Sequence, residues 1–76
     1  MTEQEWRDDF AHRLRKVYRK RGYNQKSFAE ALGVSEMTIS RYRTGKRVPD
    51  IETLVNMATI LECNITDLIT VGVIIE

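Results

Sequence analysis

The chain has 76 residues, 42% of them apolar and 30% charged, which fits one small folded domain and excludes a disordered chain or a large substrate cleft. Its one cysteine excludes an internal disulfide and a Cys-x-x-Cys metal knuckle, and the polar start MTEQEWRDD predicts no signal peptide. The formal charge is +1, and the least polar stretch, Leu68 to Ile75, falls far short of the ~20 residues of a membrane span, so a soluble cytoplasmic domain without a membrane partner is expected.

Five helices are predicted from punctuation and period. Thr2, with Glu5 three residues on, reads as a capping box that starts a helix ended by Gly22. Trp6, Phe10, Leu14 and Val17 form its apolar stripe, with Tyr18 at the flank. Arg19, Lys20 and Arg21 crowd its last turn, where cations suit the negative end of the helix dipole. Asn24 caps a short second helix from Gln25 to Ala31 or Leu32, with Phe28, Ala29 and Leu32 inward. Gly33 follows, and Ser35 caps a third helix from Glu36 to Arg43 or Thr44, stopped by Gly45. After the loop from Lys46 to Pro49, Asp50 caps a fourth helix in which Ile51, Leu54, Val55, Ala58 and Leu61 repeat at helical spacing. Asn64 with Asp67 starts a short fifth helix, Ile65 to Ile69.

The tail from Val71 to Ile75 is β-branched apart from Gly72 and reads as an extended strand without a partner ladder. Three roles stay open for it: packing on the first helix, pairing with a second subunit, or leading into a further domain. The predicted organisation is therefore a helical unit over residues 1–70, with a helix, turn and helix over 25–44, and an apolar tail over 71–76 as a candidate dimer contact.

Charge is segregated along this frame. Residues 1–9 carry −3, residues 10–47 carry +9 and residues 48–76 carry −5. A basic block between acidic ends suits a face that meets a polyanion, or a solvated surface that balances itself. Within the block, Ala29 is small where two short helices cross and Gly33 permits the turn between them. Ile39 and Tyr42 point to the core. Glu36, Met37, Ser40, Arg41 and Arg43 are left on the outer side of the third helix, a short mixed polar face that fits the DNA major groove.

The run QKSFAEALGVSEMTISRYRTGKRVPDIETL closely resembles the Cro/lambda-repressor type of helix-turn-helix domain, over about residues 10 to 70 and without gaps. The resemblance implies an all-α fold of five helices around one core, with the third in the major groove. It implies that Gln25 touches a phosphate and braces the third helix, that Glu36, Met37 and Arg41 sit at base-reading positions, and that Lys46 and Arg47 lie on the sugar-phosphate backbone. Thr38 and Ser40 would make secondary contacts, and Lys26, Ser35 and Arg43 complete the supporting set. Tyr42 stands where a smaller aliphatic is usual and Arg43 where an acid is common, so no known operator can be copied.

The chemistry of these positions also stands without the resemblance. Arg41 can fork onto O6 and N7 of guanine, worth about 1–3 kcal/mol of discrimination. Glu36 either accepts from a cytosine amino group or is a first-turn acid favoured by the helix dipole. Met37 either meets a thymine methyl or packs inward. Thr38 and Ser40 are either phosphate ligands or helix fillers.

No catalytic constellation is expected. His12, the one histidine, reads as a surface ion partner of Asp8, and Cys63 as a small buried residue between the fourth and fifth helices. Glycines 22, 33, 45 and 72 make no phosphate loop, and no metal or cofactor is expected. Two functions remain: a sequence-specific regulator of double-stranded DNA, most simply a dimeric phage or bacterial repressor on an inverted repeat; or a protein-interaction module such as an antitoxin or adaptor.

Overall fold

A computed structural model describes residues 2–69. Four α-helices, α1 (Glu3–Lys20), α2 (Gln25–Leu32), α3 (Glu36–Arg43) and α4 (Ile51–Leu61), are followed by one 3-10 turn at Ile65–Asp67. Each helix starts where a short polar side chain takes up orphan backbone donors. Thr2 Oγ1 accepts from the Glu5 amide at 3.1 Å, Asn24 Oδ1 from Ser27 at 2.8 Å, Ser35 Oγ from Thr38 at 3.1 Å and Asp50 Oδ1 from Thr53 at 2.9 Å. Glu5 and Ser27 answer with bonds to the cap amides, so α1 and α2 open with complete capping boxes.

The core runs through all of these elements. Phe10, Leu14 and Tyr18 of α1 meet Phe28 and Ala29 of α2, Ile39 and Tyr42 of α3, and Leu54, Met57, Ala58 and Leu61 of α4, with Leu68 and Ile69 closing one end. Tyr18 stacks on Phe28 with ring centroids 5.6 Å apart, and Phe10 meets Tyr42 edge-on at 6.4 Å. The ends of α1 and α4 are tied together. Glu62 turns left-handed after α4 (φ 53°), and Arg21 donates to its carbonyl at 2.9 Å.

The structure corrects several expectations. The fifth element is a 3-10 turn over Ile65–Asp67 rather than a helix from Ile65 to Ile69, closed by i, i+3 bonds from the Asp67 amide to the Asn64 carbonyl and from the Leu68 amide to the Ile65 carbonyl. On α1, Tyr18 is buried and Val17 flanks it, the reverse of the expected order, because Phe10, Leu14 and Tyr18 form an unbroken i, i+4 line. On α4, Ile51 and Val55 are 65% and 45% exposed, while Met57 is fully buried. At about 100° per residue, Leu54, Met57, Ala58 and Leu61 centre the inner face and Val55 falls well outside it. Ile51 lies in the first turn, at the edge of that face. His12 is exposed, but Asp8 accepts from Gln4 Nε2 at 2.9 Å instead; the ion pairs among the described residues are Arg7–Glu3 and Arg13–Asp9. Cys63 is half-buried at the edge of the core rather than within it. The expected strand at 71–75 and the tail 71–76 lie outside the described residues.

Candidate nucleic-acid interface

Gly33 makes the turn between α2 and α3 by adopting φ 78°, a left-handed conformation that glycine enters without penalty. The Gly33 and Val34 amides both bond the Ala29 carbonyl, at 2.9 and 3.0 Å. Ala29 is buried where the helices cross, so the two axes approach closely. Ile39 and Tyr42 anchor α3 in the core. Its outer side then presents Glu36, Met37 and Arg41 to solvent, with Ser40 half-buried beside them. Met37 is 64% exposed, so the inward alternative for this side chain is excluded. Arg41 Nη2 lies 3.5 Å from Met37 Sδ, which places the guanidinium and the thioether side by side on one stripe.

The other expected residues surround this stripe. Gln25 Nε2 donates to the Glu36 carbonyl at 3.2 Å and so ties the start of α2 to the start of α3. Lys26, Ser35, Lys46 and Arg47 are exposed. Thr38 is half-buried, its hydroxyl 2.9 Å from Ser35 Oγ, so both side chains serve the start of α3. Arg43 differs from its outward placement. It is half-buried, and its Nε is shielded with no hydrogen-bond partner among the described residues. The Lys46 and Arg47 amides both bond the Arg41 carbonyl, which fixes this basic pair directly beyond α3.

Two positioning residues escaped the sequence reading. Gln4 Nε2 bonds the Gly45 carbonyl at 3.2 Å, and Arg15 Nη1 donates to the Arg43 carbonyl. Both come from α1 and hold the far end of α3 and its exit loop. No local pattern reveals them, since they act across 41 and 28 residues of chain. The Asp50 carboxyl, at the start of α4 beyond that loop, is held below its ordinary range by hydrogen bonds from Thr53, with Arg47 helping through charge. Burial, followed by the charge of Asp67, pushes the Cys63 thiol up. Among the described residues no cluster of three or more His, Cys, Asp and Glu side chains is placed to hold a metal, and no helix is long and apolar enough to cross a membrane.

The helix-turn-helix family pattern HTH_3 matches residues 13–68, most of the chain. The chain belongs to the helix-turn-helix family. This domain is of the Cro/lambda-repressor type that its sequence resembles. It is 36% identical over 52 residues to a prophage-derived, uncharacterized HTH-type transcriptional regulator of Bacillus subtilis, YonR, an alignment covering 68% of this chain and 48% of that protein. A second B. subtilis HTH-type regulator, YqaE, is 30% identical over 56 residues, covering 74% of this chain and 48% of its own length. The helix-turn-helix domain thus spans about half the length of the curated relatives it matches. Among solved structures it superposes on an HTH_3 family transcriptional regulator from Vibrio cholerae with a TM-score of 0.79, at 25% identity over 88% of this chain and 38% of that one. It also shares the fold of the restriction-modification controller protein C.AhdI from Aeromonas hydrophila, with a TM-score of 0.75 at 22% identity, covering 82% and 94% of the two chains.

Proposed function

We propose that this helix-turn-helix domain is a transcriptional regulator that binds double-stranded DNA in a sequence-specific way, as a dimeric repressor on an inverted-repeat operator. The observation that carries the reading is the outer stripe of α3. Glu36, Met37 and Arg41 stand free on a helix anchored through Ile39 and Tyr42 and braced at both ends by Gln25 and Arg15. A rigid, short, mixed polar helix of this kind suits the major groove, where Arg41 forks onto guanine and Met37 meets a thymine methyl. Glu36 accepts from a cytosine amino group. Gln25, Lys26, Lys46 and Arg47 contact phosphates and set register, with Ser35, Thr38, Ser40 and Arg43 supporting them. The activity proposed is binding, not catalysis. The HTH-type regulators among the relatives support the same reading.

Ile51 and Val55, exposed one turn apart on α4, favour a second reading in which the domain holds a protein partner. Selection from a randomised duplex pool at physiological salt separates the two. An enriched inverted repeat supports the dimeric regulator. A folded protein that enriches no motif shifts the assignment to the interaction module.

A further inference from the structure

From residue 10 to residue 29 the chain contains no carboxylate, yet it carries Arg13, Arg15, Lys16, Arg19, Lys20, Arg21 and Lys26. Folding gathers most of these on α1. His12, Arg15, Lys16, Arg19 and Lys20 line one shallow depression on its outer side. At about 100° per residue this stripe lies opposite Phe10, Leu14 and Tyr18. Phe10 packs against Tyr42 of α3 and Arg15 reaches the Arg43 carbonyl, so one edge of the stripe borders α3, while Lys16 and Lys20 lie on the side of α1 turned away from those contacts. Lys16, Arg19 and Lys20 are thus exposed on α1, on a surface separate from the one that Met37 and Arg41 present on α3.

Local stability does not account for the stripe. Arg15 and Arg19, like Lys16 and Lys20, are i, i+4 neighbours of one sign, an arrangement that destabilises a helix. The helix dipole rewards cations in the last turn, which covers Arg19 and Lys20 but not Arg15 or Lys16. Arg13 is compensated by Asp9 at 2.9 Å, and the flank toward the 3-10 turn includes Asp67. Arg15 is spent on the Arg43 carbonyl. Lys16, Arg19 and Lys20 are exposed, and the ion pairs among the described residues include none of them.

We propose that the outer face of α1 binds the phosphate backbone of a second DNA segment, distinct from the duplex that α3 contacts. Cations four residues apart rise about 6 Å along the helix, and a phosphate-lined strand is met by such an array without any apolar anchor. A protein partner would need buried aromatic or aliphatic anchors, and the stripe offers none. The inference concerns a different face from the one assigned to base reading, and its test reads the two faces separately.

The test compares the full chain with Lys16→Gln/Arg19→Gln/Lys20→Gln and with the charge-keeping Lys16→Arg/Lys20→Arg. The first readout is affinity for a mixed-sequence duplex between about 50 and 200 mM salt. The second is capture of a labelled free duplex by protein already bound to an immobilised one. Loss of three phosphate contacts should reduce the slope of log K against log salt by about 2–3. The triple Gln variant should hold the immobilised duplex but lose capture of the second, and the Lys→Arg variant should keep both. Circular dichroism should show the Gln variant folded, with a thermal midpoint no lower than the parent's. An unchanged slope, or no second-duplex capture by the parent chain, would overturn the proposal. So would binding to anionic phospholipid vesicles without duplex capture. Capture without any enriched motif would uphold it while removing the sequence-specific reading of α3.

Discussion

Gly45→Ala tests how α1 holds the end of α3. Gly45 has φ +76°, and a methyl group at its Cβ position would sit 2.5 Å from Asp8 Oδ1. Gly33 is the control, with φ +78° and nothing within 4 Å of the same position. Alanine in the left-handed region costs roughly 1–2 kcal/mol, so Gly33→Ala should lose about that much. Gly45→Ala carries the same backbone cost. In addition the Asp8 carboxylate must swing away and give up its 2.9 Å bond from Gln4 Nε2, the side chain that also bonds the Gly45 carbonyl. A hydrogen bond of this kind is worth about 0.5–1.5 kcal/mol, which puts Gly45→Ala at about 2–3 kcal/mol. For a domain of this size each 1 kcal/mol lowers Tm by roughly 4–8 °C. Urea and thermal unfolding followed by circular dichroism should therefore rank Gly45→Ala below Gly33→Ala. In an Asp8→Ala background the cost of Gly45→Ala should shrink by about 1 kcal/mol, toward that of Gly33→Ala. Equal costs for the two glycines, and no rescue by Asp8→Ala, would refute the contact.

Other expectations follow from single side chains. Ile39→Ala should cost about 2–5 kcal/mol in urea unfolding because Ile39 is fully buried, whereas Met37→Ala, two residues along the same helix, should stay within about 0.5 kcal/mol. The Asp50 carboxyl is lowered in the folded state, so the stability it contributes is complete above its unfolded pKa and is lost as pH falls through the folded value. Asp50→Asn keeps a capping oxygen and should flatten the acid limb of stability against pH, below about pH 4, with little change at neutrality. The raised Cys63 thiol should be alkylated slowly at neutral pH, the rate climbing only above the ordinary thiol range; fast modification of the folded chain would contradict this.

The parts of the fold that sequence could reveal are those governed by neighbours in the chain. Thr2, Asn24, Ser35 and Asp50 each bond an amide three residues on, so a short polar residue ahead of an apolar period was enough to find every helix start. Gly33 and the inward pair Ile39 and Tyr42 were legible for the same reason. The inner face of α4 was not. Its apolar residues cover more than one side, and the folded chain shows which of them pack, with Met57 buried and Ile51 and Val55 exposed. Gln4 and Arg15 were hidden because their partners are backbone carbonyls far along the chain. Arg43 was half-misread, since its side chain is half-buried with Nε shielded and its carbonyl is taken by Arg15 of α1. The family pattern thus located the stripe of α3, while the contacts that hold it required the folded chain.

The central claim is that the outer side of α3 reads sequence, and it is tested most directly by parallel selections from one randomised duplex pool with the parent chain, Met37→Ala and Arg41→Ala. All three should enrich the same inverted-repeat framework. Arg41→Ala should relax a guanine preference at one position of each half-site by about 1–3 kcal/mol, and Met37→Ala should weaken a thymine preference at another. Identical motifs from all three proteins would contradict the claim.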